Sequence, residues 1–111
     1  MDRRRAERER RQSRRVAAVF AVRGDGVLRG HLGQAEDIGP SGMTLRWPQE
    51  AALPPDPLSL TFELPGSGRA IAARAQVVNQ RAVGRFRRAG VRFIALAPES
   101  ARLIASYCAR R

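Results

Sequence analysis

The chain has 111 residues, with 21 basic against 10 acidic side chains and a formal net charge of +11. That length supports one small domain, and a single cysteine, Cys108, with a single histidine, His31, excludes an intramolecular disulfide, a structural zinc site and a Cys/His catalytic pair. No apolar run reaches the length of a membrane span, and the charged N-terminus lacks the apolar core of a signal peptide, so a soluble, cytoplasmic protein is expected.

Charge on this scale ordinarily points to nucleic acid or an acidic membrane surface. It is discounted here because every basic residue is arginine and alanine is abundant, a bias that a GC-rich genome produces whatever the function. The distribution is more telling than the total. Residues 1–15 hold eight arginines against Asp2, Glu7 and Glu9, too polar a stretch to fold alone, and a flexible arm is expected there.

From residue 16 onward the pattern becomes β. Val16 to Arg23 is apolar and rich in β-branched residues, and Gly24-Asp25-Gly26 is a turn signal before Val27 to Gln34, so the two runs read as a hairpin. Glu36 to Gly42 is read as a glycine-rich turn, with Gly39 and Gly42 supplying positive φ and close backbone approach. Met43, Leu45 and Trp47 then share one face of a strand. Pro48 to Pro57 is an irregular connection. Leu58, Leu60, Phe62 and Leu64 form the cleanest alternation in the chain, Pro65-Gly66-Ser67-Gly68 is a hairpin loop, and Ile71, Ala73, Ala75 and Val77 face inward on the returning strand. Arg81 to Ala89 is read as a basic turn and Gly90 to Leu96 as the last strand. Pro98 in a first helical turn with Glu99 beside it predicts a helix over 98–109, its apolar stripe made by Leu103, Ile104, Tyr107 and Cys108. The expected fold is mainly β: a small six-stranded antiparallel β-barrel over 16–111 with a C-terminal α-helix, preceded by the arm at 1–15.

Two stretches carry chemistry. Arg11 and Arg15 are separated by three residues, so two guanidinium forks can close on one phosphate or on the O6/N7 edge of guanine. Arg10 and Arg14 form a second, overlapping frame. Downstream, Asp37 can accept hydrogen bonds from the N1–H and N2–H edge of guanine. Together they suit a guanine-bearing phosphate ligand. Read singly, the arm is a basic tail and Asp37-Ile38-Gly39-Pro40-Ser41-Gly42 an ordinary Asx-type turn; their coincidence is what carries weight.

The RxxxR pattern at Arg11 and Arg15, the Asp37 to Gly42 stretch and the late Gly90-Val91-Arg92-Phe93 strand, in that order, resemble the PilZ family. That resemblance implies a six-stranded barrel that binds the bacterial second messenger cyclic di-GMP, through Arg10, Arg11, Arg14, Arg15, Asp37, Gly39, Ser41 and Gly42, and that signals to a protein partner by changing shape. No further cofactor, metal or catalytic group is implied. Gly39 stands where the family pattern has serine, so the alternative is a degenerate member that binds no nucleotide and acts through protein contacts alone, with Ser41 two residues further on. DNA or RNA binding is not favoured, because no recognition helix or base-stacking aromatic pattern accompanies the arginines. An enzyme is the least favoured class: Glu36-Asp37 is the one adjacent acidic pair, its side chains are expected to diverge on extended backbone, and no serine sits in a nucleophile context.

Overall fold

Every other residue of the first strand is buried, and the same alternation, carried through five more strands, closes the sheet on itself. The computed structural model describes residues 15–24, 32–49 and 57–110. Residues 1–14 of the arm predicted over 1–15, with Arg10, Arg11 and Arg14, lie outside the described residues, as do Asp25, Gly26, His31 and most of the proline-rich connection.

Strands β1 (Val16–Gly24), β2 (Leu32–Gly39), β3 (Gly42–Pro48), β4 (Leu58–Glu63), β5 (Ala70–Val83) and β6 (Phe86–Leu96) form a closed antiparallel barrel in the order β1-β2-β3-β6-β5-β4. Inward positions follow the sequence alternation: Met43, Leu45 and Trp47 on β3, Leu58, Leu60 and Phe62 on β4, and Ile71, Ala73 and Ala75 on β5 are buried. Each large aliphatic so buried contributes about 1.5–3 kcal/mol relative to exposure. The short alanines of β5 leave room for Phe62, whose ring lies 5.5 Å from Phe20 and 6.4 Å from Phe93.

Helix α1 (Pro98–Ala109) begins with proline in its first turn and Glu99 beside it, where a missing N–H costs nothing and negative charge meets the positive helix end. Ile104 and Cys108 are buried while Leu103 and Tyr107 pack at the margin. Cys108 Sγ donates to the Ile38 carbonyl at 3.5 Å, fixing the helix against β2.

Three sequence expectations change. The Glu36 to Gly42 stretch is not a turn over its length: β2 runs to Gly39, and only Pro40-Ser41 turns, with Gly39 paired to Gly42. Aspartate usually disfavours strands because it competes for nearby backbone N–H groups. Here Asp37 Oδ1 takes its N–H from Thr44 across the ladder at 3.0 Å, so strand and side chain agree. Neither Gly39 nor Gly42 has positive φ, which among the described glycines occurs at Gly66, Gly68 and Gly84. Gly42 serves close approach instead: a Cβ there would sit 2.0 Å from the Val91 carbonyl oxygen.

The basic Arg81 to Ala89 stretch is likewise strand rather than turn. Val83 pairs with Phe86 around Gly84-Arg85, and φ of 60° at Gly84 meets the need of a two-residue hairpin for a left-handed residue at its first central position. The arginines on either side are carried on the ladder.

Candidate functional site

Cross-strand pairing sets one row of residues across five strands. Ala17 pairs with Asp37, Asp37 with Thr44, Thr44 with Gly90, and Gly90 with Asn79. Paired residues project to the same side of a sheet, and since Met43 and Val91 point inward, this row points out. One step along the strands runs a second outward row, Gln34, Arg46, Arg88 and Arg81.

Two bulges bend this surface into a groove. Between Ala35 and Asp37, β2 carries one more residue than β3, and between Val77 and Asn79, β5 carries one more than β6. The extra residues, Glu36 and Val78, are thrown outward where plain alternation would have placed them otherwise. Glu36 and Asp37 therefore do not diverge as expected on extended backbone; both line the same groove. Its volume is about 610 Å³, and Arg15, Thr44, Asn79, Gln80, Arg81, Arg88 and Gly90 complete its walls. That lies within the roughly 300–1,000 Å³ typical of small-molecule clefts. Gly90 keeps the floor low, for its N–H donates to Asn79 Oδ1 at 3.2 Å and a Cβ there would press on the Asn79 amide at 3.1 Å.

Each acidic residue of the β2 bulge is held by arginine. Arg15 Nη1 approaches Asp37 Oδ1 at 3.4 Å and donates to Thr44 Oγ1 at 3.1 Å. Arg88 grips Glu36 with two donors, Nε at 2.8 Å and Nη2 closer still. Arg46 Nε adds a contact to Glu36 Oε1 at 3.8 Å while its Nη2 donates to Gln34 at 2.6 Å. Arg81 also lines the groove, and among the described residues no carboxylate pairs with it.

Of the residues the sequence singled out, Arg15 and Asp37 come together, from positions 22 residues apart. Gly39, Ser41 and Gly42 sit on the adjoining β2–β3 hairpin, outside the groove lining; Ser41 is exposed and its carbonyl accepts from Phe93 N–H at 2.9 Å. Arg10, Arg11 and Arg14 lie outside the described residues. Thr44, Glu36, Asn79, Arg81, Arg88 and Gly90 were not foreseen as groove residues. Gly90 alone carried a sequence signal, since an isolated glycine within a strand often marks close approach of another group.

Among the described residues there is no cluster of His, Cys, Asp and Glu suited to a metal ion, and no helix is long and apolar enough to cross a membrane. The surface offers forked cations, one loosely held carboxylate, a hydroxyl and amides: chemistry for holding a polar, anionic, planar ligand.

Comparison with known proteins accords with this. Residues 2–110 match the PilZ domain family. The fold is similar to that of the solved Bacillus subtilis inhibitor of motility, MotI/DgrA, with a TM-score of 0.76 and 20% identity over 90% of this chain and 50% of that one. This chain thus spans about half the length of that protein, and at such identity the likeness is one of fold. No curated protein matches the sequence.

Proposed function

Because the chain belongs to the PilZ domain family, a family of cyclic di-GMP receptors, we propose that it binds cyclic di-GMP in the groove beside Asp37 and passes the signal to a protein partner through a change of shape. PilZ domains are binding and regulatory modules rather than enzymes. The observation that carries the proposal is the Arg15–Asp37–Thr44 contact at the rim of a groove of suitable size.

In this mechanism a phosphate of the incoming nucleotide draws Arg15 off Asp37. The guanidinium exchanges one long, partly exposed contact for a bidentate, charge-assisted one. Asp37, relieved of its internal cation but still fixed by Thr44 N–H, accepts from the N1–H and N2–H edge of guanine. Arg10, Arg11 and Arg14 supply further cations from the segment preceding Arg15, and Gly39, Ser41 and Gly42 border the ligand from the hairpin. Engagement of that segment by the ligand changes the surface offered to a partner.

Titration calorimetry with cyclic di-GMP is the test: wild type binds, and Arg15→Ala loses roughly tenfold or more, the worth of one charge-assisted hydrogen-bonding group. Equal affinity in the variant would remove Arg15 from the site. The second reading, a member that no longer binds nucleotide, rests on Gly39, which leaves the hairpin base without the hydroxyl of the family pattern. It predicts no heat with wild type and measurable binding by Gly39→Ser.

A further inference from the structure

Beyond the groove, the outward face continues into a third row formed by Pro48, Phe86 and Val83, one ladder step past Arg46, Arg88 and Arg81. It ends at the tip of the β5–β6 hairpin, where Val83 and Phe86 are 46% and 42% exposed. Arg85 stands at the turn between them. From Leu64 to Pro98 the chain carries seven arginines and neither aspartate nor glutamate, and among the described residues no carboxylate pairs with Arg81, Arg85 or Arg87.

We propose that this hairpin tip docks on an anionic lipid surface, Val83 and Phe86 entering the headgroup boundary while the surrounding arginines meet lipid phosphates. An apolar pair at a hairpin tip, beside Arg81 and Arg85, to which no carboxylate is paired among the described residues, is the arrangement that combines interfacial burial with attraction to acidic headgroups. Arginine stems cover apolar surface while their heads stay at the phosphate level. Nucleic acid fits the same cations less well. Arg46 already lies over the Phe86 ring, 4.7 Å from its centroid, and valine offers no face for a base to stack upon. A folded protein partner needs more area than one hairpin tip presents, since stable interfaces bury on the order of 800 Å² per partner. A lipid surface makes no such demand. The inference stands apart from the nucleotide reading, as Val83, Arg85 and Phe86 do not line the groove.

The test is co-sedimentation with phosphatidylcholine vesicles, with and without about one third phosphatidylglycerol. Wild type is expected to pellet with the anionic vesicles only, and the double variant Val83→Ser/Phe86→Ser to lose about tenfold of that partition through the missing apolar burial. The arginines of residues 1–14 are unchanged in this variant, so undiminished retention would show that their charge suffices and would overturn the proposal. Phe86→Trp, compared with wild type to remove the signal of buried Trp47, gives a reading independent of that variant's folding: its emission should shift to shorter wavelength with anionic vesicles, and no shift overturns the assignment. Retention on a duplex DNA fragment that Val83→Ser/Phe86→Ser abolishes, without anionic-vesicle binding by wild type, would assign the tip to nucleic acid instead.

Discussion

Glu36 and Asp37 are neighbours in one bulge of β2, line one groove and each meet an arginine, yet the two pairs are built differently. Glu36 is gripped by two donors of Arg88 and flanked by Arg46, its side chain 22% exposed. Asp37 has a single contact of 3.4 Å with Arg15, and both side chains are about a third exposed, 38% and 31%. A partly sheltered pair, in which two donors of Arg88 share Oε2 of Glu36, ties β2 to β6; a long, wet one is worth little to the fold. The lesson is one of division of labour between adjacent carboxylates: one is part of the frame, the other is held loosely enough to serve the ligand role proposed for it.

Asp37→Ala should have the largest effect on binding. Loss of its hydrogen bonds to guanine should weaken cyclic di-GMP by about 1.5–3 kcal/mol, roughly ten- to a hundredfold by calorimetry, while the thermal midpoint moves by only a few degrees. Glu36→Gln should reverse the balance. Leaving Arg88 and Arg46 without an anion should cost about 1–2 kcal/mol of stability, read as a lowered midpoint in thermal unfolding, with ligand affinity changed less than about threefold. If Glu36→Gln abolished binding and left the midpoint alone, the assignment of roles would be inverted. The smallest effect belongs to Thr44→Val, which removes the hydroxyl that positions Arg15 but keeps the backbone N–H on Asp37. It should weaken binding by about 0.5–1.5 kcal/mol and sharpen the contrast by separating the orientation of Arg15 from its charge.

The barrel was legible because burial obeys period two: Met43, Leu45 and Trp47, or Leu58, Leu60 and Phe62, announce their face without help from the rest of the chain. Helix α1 was legible from Pro98 and its stripe. The groove was only half legible. Arg15 and Asp37 could be paired from their motifs, but a bulge is a mismatch in count between two strands, and nothing in Glu36 or Val78 alone reveals it. The run from Arg81 to Ala89 read as a basic turn because its arginines show no apolar alternation, while the ladder that carries them is set by pairing, Val83 with Phe86 within the hairpin and Arg88 with Arg46 on β3. Gly39 and Gly42 suggested positive φ, when the constraint at Gly42 is the nearness of the Val91 carbonyl.

The row from Ala17 to Asn79 takes one residue from each of five adjacent strands. Four of them, Asp37, Thr44, Gly90 and Asn79, line the groove, so its wall is drawn from β2, β3, β6 and β5, which no single loop connects. A ligand held there would be braced by the ladder itself rather than by any one hairpin.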